Sequence, residues 1–122
     1  KEFIEKFDPK SEACWIAEVD GQPVGSVCLV RKSATVAKLR LLIVDQRARG
    51  HGIGTRLVGE CVMFARRAGY RKITLWTNSI LDAARRLYEQ AGFVRVAAGP
   101  TEHVFGQNLV FETWELDLRA PR

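Results

Sequence analysis

Residues 49–57 read Arg-Gly-His-Gly-Ile-Gly-Thr-Arg-Leu, directly after the strand-like run Leu41-Leu42-Ile43-Val44. Three glycines alternate at Gly50, Gly52 and Gly54, so the backbone can come close to a ligand without Cβ obstruction. Beyond them apolar residues recur at Ile53, Leu57, Cys61, Phe64 and Ala68, one face of a helix that Gly69 ends. The first turn of such a helix leaves N–H groups unpaired and carries partial positive charge, which suits a phosphate. Arg49 and Arg56 add formal charge beside it. A strand, a glycine-rich turn and a helix make a pyrophosphate cradle.

Spacing decides which cradle. A dinucleotide fingerprint requires Gly-x-Gly-x-x-Gly, and a Walker loop ends in Gly-Lys-Ser/Thr; neither is present. The stretch instead fits Arg-x-x-Gly-x-Gly, with Arg49 first, Gly50 and His51 in the free positions, then Gly52, Ile53 and Gly54. This resembles the acyl-CoA-binding loop of the GNAT superfamily of N-acetyltransferases. Residues 84–93, Ala-Arg-Arg-Leu-Tyr-Glu-Gln-Ala-Gly-Phe, resemble the family's second CoA motif, in which a tyrosine stands one turn before a Gly-Phe strand entry. The two motifs occur in the family's order and separation, with an apolar strand between them. The resemblance runs from residue 13 to 118.

Around these motifs the pattern is mixed α/β. Residues 13–19 and 24–30 are strand-like with Asp20-Gly21-Gln22-Pro23 as a turn between them, a β-hairpin. A polar loop at 31–35 leads to a strand over 36–44. After the first helix come a strand around 72–77 and a second helix from about Leu81 to Gln90, with Leu81, Ala84, Leu87, Tyr88 and Ala91 on one face. A strand from Phe93 through Val96, a loop opening at Gly99-Pro100 and a final strand over 109–118 complete the chain. The resemblance implies a GNAT fold: a mostly antiparallel mixed sheet with a central splayed parallel strand pair, flanked by helices, pantetheine lying in the splay.

At the start, Phe3, Ile4 and Phe7 stand at helical spacing and predict the tail of a helix that stops at Asp8-Pro9. GNAT domains carry a strand and one or two helices before this point, so the chain reads as one domain over 1–122 whose N-terminal elements are missing or lie on another segment. The body also resembles the acetyltransferase half of bacterial proteins that fuse it to a MarR-type winged-helix regulator.

The composition is that of a globular domain, with 47% hydrophobic and 27% charged residues. No run is long enough to span a membrane, and no signal-peptide pattern occurs. Cys14, Cys28 and Cys61 form an odd set without Cys-x-x-Cys spacing, which indicates neither a disulfide framework nor a zinc site. A reducing cytoplasm is the default compartment. Two separated histidines leave metal chemistry without ligands, and none is expected. A net charge of +5 favours anionic partners. CoA phosphates account for part of it; nucleic acid would enter only through a fused regulatory domain.

Acyl transfer from a thioester to an amine requires a neutral amine, a stabilised oxyanion and a proton for the departing thiolate. The resemblance gives the proton to Tyr88, which otherwise reads as a core tyrosine. It gives the oxyanion and pantetheine amides to backbone groups of Leu42, Ile43 and Val44. The pyrophosphate falls to Arg49, Gly50, His51, Gly52, Ile53, Gly54 and Thr55. His51 reads as solvent-facing or phosphate-adjacent. Two departures stand out. Family members carry a glutamate base on the strand before the cradle, where this chain has Lys38 and Arg40; Glu18, Glu102, Glu112 and His103 are the remaining candidates. Where an asparagine helps hold CoA there is Leu81, so Asn78 either substitutes or caps the following helix. The expected activity is acetyl-CoA-dependent transfer of an acetyl group to a primary amine, small molecule or protein, by direct transfer in a ternary complex. The rival is a non-catalytic acyl-CoA sensor.

Overall fold

The computed structural model describes residues 2–7 as backbone, and residues 12–46 and 52–119 with their side chains. The hairpin expected from Asp20-Gly21 is present. Strand β2 (Ala13–Val19) pairs antiparallel with β3 (Gln22–Arg31), and Val19 faces Gln22 across a two-residue turn. Both turn residues have positive φ, 52° at Asp20 and 79° at Gly21, the geometry that matches the twist of the flanking strands.

The N-terminal reading requires correction. Residues Glu2–Phe7 form a strand, β1, antiparallel to β2, with Phe3 opposite Glu18 and Phe7 opposite Cys14. A short apolar run fits either period, and the open edge of β2 supplies backbone partners that an isolated turn of helix lacks. The expected stop at Asp8-Pro9 lies outside the described residues.

Strand β4 (Val36–Val44) returns antiparallel to β3, and its other neighbour, β5 (Lys72–Asn78), lies parallel to it. The two pair only from Val36 opposite Lys72 to Lys38 opposite Thr74; beyond that β4 runs on to Val44 and β5 to Asn78 unpaired with each other. The cause is a bulge in β4. Between Arg40 and Ile43 it carries one residue more than β3 does, and Leu41 sits at φ 59°. An extra residue bends and twists its strand. Here it carries β4 away from β5, while β5 stays paired with the last strand along its whole length.

Helix α1 (Ile53–Arg67) crosses between β4 and β5, and α2 (Asp82–Ala91) follows β5. Strands β6 (Val94–Val104) and β7 (Gln107–Asp117) form a closing hairpin, giving the sheet order β1-β2-β3-β4-β5-β7-β6 among the described residues. The loop expected at 99–108 is mostly strand. Gly99-Pro100 is absorbed by a register shift between Ala98 and Thr101, and the chain turns only at Phe105-Gly106. An edge strand tolerates a proline at such an irregularity because the missing N–H faces no partner.

Both helices cover one face of the sheet. Trp15 packs edge-on against Phe64 of α1 with centroids 5.6 Å apart, and Tyr88 of α2 packs against Phe93 and Trp114. Between them Val27, Leu29, Ile73, Leu75 and Leu57 are sealed from solvent. Cross-strand pairing puts Cys14, Cys28, Lys38, Arg40, Thr74 and Trp76 on the other face. Cys14 lies directly opposite Cys28, and the two form a disulfide across the hairpin. That pair corrects the reading that found no disulfide, since the hairpin register, not sequence spacing, brings the two sulfurs together.

Candidate active site at the strand splay

Where β4 leaves β5, a cleft of about 720 Å³ opens on the helix side. Three elements wall it: the end of β4 (Leu42, Ile43, Val44), the start of α1 (Gly52, Ile53, Gly54, Thr55) and the α2 side, from Ile80 to Gln90. Seven sequence-expected residues therefore converge on one cavity. Arg49, Gly50 and His51 lie outside the described residues.

Gly52 is the N-cap of α1, in the left-handed region at φ 77°, and among the described residues no side chain caps the helix. The first turn contains no acidic residue, so its own side chains do not neutralise the positive end of the helix dipole. N–H groups left open in this way form an anion site. Gly54 has a different purpose. A Cβ there would lie 2.6 Å from Leu87 Cδ1, so the missing side chain lets α1 and α2 touch across the floor of the cleft.

Tyr88 does not line the cleft. It is buried behind α2, 5% exposed, among Phe93 and Trp114. Burial pushes its phenol up to about 12, and the neighbouring Cys61 acts in the same direction. The group therefore holds its proton throughout the neutral range. Cys61, itself buried, is pushed up still further by desolvation and Glu60.

Asn78 also stays out of the cleft lining. Its Oδ1 accepts a hydrogen bond from Ile80 N at 3.2 Å, forming the turn that enters α2. Thr77, on the splayed part of β5, is 7% exposed, and its buried hydroxyl has no hydrogen-bond partner among the described residues.

Among the candidate bases, Glu112 is fully engaged. It is 3% exposed and accepts from Trp114 Nε1 at 3.0 Å, while Arg85 Nη2 and Arg95 Nη1 each reach its Oε2 at 3.2 Å. With both oxygens held by donors, it is a structural anion that ties α2 to the β6–β7 hairpin. His103 sits near the hairpin turn with Nδ1 3.0 Å from Asn108 Oδ1. No group of three or more metal-ligating side chains occurs among the described residues.

Sequence reasoning missed the α2 wall. Leu81, Ala84 and Leu87 share one apolar face with Tyr88 in the sequence pattern, and the structure sets them along the cleft. A helix with one face on the sheet and one flank on a cavity shows an apolar stripe wider than the core needs, and the stripe alone does not divide the two.

The chain matches the acetyltransferase (GNAT) family over residues 1–93, and it belongs to that family. Among curated relatives, it is 37% identical over 95 residues to N-acetylaspartate synthetase of Danio rerio, covering 77% of this chain and 33% of that protein. It is 38% identical over 84 residues to human N-acetyltransferase 8B, covering 65% and 37%. The chain thus spans about a third of the length of these relatives. Among solved structures, a Salmonella typhimurium protein holding its cofactor acetyl-CoA superposes with TM-score 0.80 at 23% identity, over 89% of this chain and 66% of that one. Ard1 of Thermoplasma volcanium gives 0.76 at 27% identity, over 85% and 69%. No helix among the described residues is long and apolar enough to cross a membrane.

Proposed function

We propose that this domain binds acetyl-CoA in the splay cleft and transfers the acetyl group to a primary amine in a ternary complex. The observation that carries the reading is the convergence of an uncapped, acid-free helix N-terminus and a splayed strand pair on one cleft. The cleft's volume suits an extended ligand.

In the reaction the amine nitrogen attacks the thioester carbonyl, the C–N bond forms and the C–S bond breaks. The ammonium's proton goes to water, and the CoA thiolate takes a proton as it leaves. The N–H groups of Gly52 to Thr55, with Arg49, Gly50 and His51 before them, hold the pyrophosphate. Backbone groups of Leu42 to Val44, freed by the bulge at Leu41, hold the pantetheine amides and the oxyanion. By the motif resemblance the proton for the thiolate comes from Tyr88, kept neutral by burial although its phenol does not line the cleft; Asn78 supports the cleft by shaping the entry to α2.

Lys38 and Arg40, in place of a carboxylate on β4, favour a second reading, an acyl-CoA sensor without turnover. A calorimetric titration with acetyl-CoA, followed by thiol detection over a panel of amines, decides. Saturable binding with amine-dependent thiol release supports transfer, and binding without release supports the sensor. No binding by a folded sample at millimolar ligand refutes both.

A further inference from the structure

The face of the sheet opposite the helices has a chemistry of its own around the splay. Lys38 is the last β4 residue paired with β5, and its Nζ lies 3.9 Å from the ring centroid of Trp76. Trp76 is 69% exposed, on the part of β5 that has separated from β4. Arg40, opposite Cys28 on the same face, is exposed two residues further along β4. Among the described residues neither cation is held in an ion pair, and the nearby carboxylate of Glu115 is taken by Lys72 at 3.3 Å. Ile43, 61% exposed, and Phe111, 42% exposed, add apolar surface around the same opening.

A ternary complex needs two approaches to one carbonyl. The helix side is filled by α1, α2 and the donor cleft between them. The other approach is through the splay from the open face, where among the described residues Lys38, Arg40 and Trp76 stand beside the opening. We infer that the acceptor is a small amine carrying an anionic group, carboxylate or phosphate, that docks on Lys38 and Arg40 with its carbon chain against Trp76. The inference rests on the acyl-transfer reading above. Two cations in this position attract the anionic end by charge-assisted hydrogen bonds. They also penalise the ammonium form of the amine, which eases the loss of its proton on a strand that offers no carboxylate base. A polycationic acceptor is repelled by the same pair.

The test is a set of matched acceptors assayed by thiol release from acetyl-CoA: glutamate and β-alanine for carboxylate, phosphoethanolamine for phosphate, against propylamine, ethanolamine and putrescine. The anionic member of each pair is expected to have the higher kcat/KM, putrescine the lowest; the carboxylate and phosphate arms identify the anion. In Lys38→Met/Arg40→Met the preference for anionic over neutral amine should fall about tenfold or more, chiefly through KM for the acceptor. Acetyl-CoA titration of the same variant reports that it is folded and loaded. Equal use of charged and neutral amines, or a preference unchanged in the double variant, overturns the inference and leaves the acyl-transfer reading standing. Acetyl-CoA binding without transfer to any anionic amine overturns it as well. Failure to bind acetyl-CoA is the separate result that sinks the reading beneath it.

Discussion

Removing the carboxylate of Glu112 tests what holds α2 over the cleft. The carboxylate is buried, and its partners are buried to different degrees: the Arg85 side chain is 28% exposed and that of Arg95 is 53% exposed. Glu112→Ala strands the Trp114 N–H, worth about 1 kcal/mol as a buried hydrogen bond. It also strips the partly buried Arg85 guanidinium of its anion, worth about 1.5–2 kcal/mol after allowance for its exposure. Arg95, half in solvent, adds only a few tenths of a kcal/mol. The expected loss is therefore about 3 kcal/mol, which for a chain of this size lowers Tm by roughly 12 °C. Glu112→Gln retains an acceptor for Trp114 and should lose about half as much.

Thermal melts of Glu112→Ala, Arg85→Met and the double variant close a cycle whose coupling should be about 1–2 kcal/mol; Arg95→Met serves as the weak control. Because α2 forms one wall of the cleft, the same variants should weaken acetyl-CoA binding more than their stability loss alone explains. A Tm within about 2 °C of the parent for Glu112→Ala, together with a coupling below about 0.3 kcal/mol, would refute the reasoning. It would mean that the apolar contacts of Tyr88 and Leu87 hold α2 unaided.

Tyr88→Phe should cut kcat by about a hundredfold while KM for acetyl-CoA stays within a few-fold; an unchanged kcat removes the proton-donor role. The same residue sets an alkaline stability window. Between the ordinary tyrosine value of about 10 and its folded value of about 12, the native state keeps a proton that the unfolded chain has lost. Stability must therefore fall as pH rises through that interval, by up to about 2–3 kcal/mol, and Tyr88→Phe should flatten that fall in chemical denaturation. Thr77→Val should leave the chain as stable or more so, because no partner is lost, with acetyl-CoA affinity within about twofold of the parent because the hydroxyl lies outside the cleft lining; a Tm below the parent's denies that the hydroxyl is unpaired. Gly54→Val should cost about 1–3 kcal/mol by forcing Leu87 off Gly54, seen as a lower Tm, and a Tm at the parent value would show that the helices are free to part.

How much of this was legible in the sequence follows from the range of each signal. The start of α1 at Gly52-Ile53 was legible because its signals are local: glycine spacing, a strand before and an amphipathic period after. The Asp20-Gly21 hairpin was legible for the same reason. The helix expected from Phe3, Ile4 and Phe7 is a strand because the edge of β2 decides it, and nothing within those residues reports that edge. The Cys14–Cys28 disulfide depends on hairpin register, and the engagement of Glu112 depends on α2 and β6 meeting β7. Both are long-range facts. The bulge at Leu41 carries no sequence mark at all, since leucine is an uncommon occupant of positive φ.

That bulge is also what makes the site possible. A sheet that opens between two parallel strands gives up hydrogen bonds there, and something must keep the halves from closing or drifting apart. Along β4 the extra residue at Leu41 keeps the strand out of register with β5, while its pairing with β3 holds it in place. On the other side, β5 is anchored over its whole length to β7, and β7 is anchored to α2 through Glu112 and Arg85. The two halves then meet again above the gap, where Leu87 of α2 rests on Gly54 of α1. The opening is thus spanned by a helix–helix contact on one face, and on the other, among the described residues, Lys38 and Trp76 stand beside it. The proposed donor has a long body and the inferred acceptor a short one, and that asymmetry suits both: a deep, walled cleft for the first, and a shallow charged floor for the second.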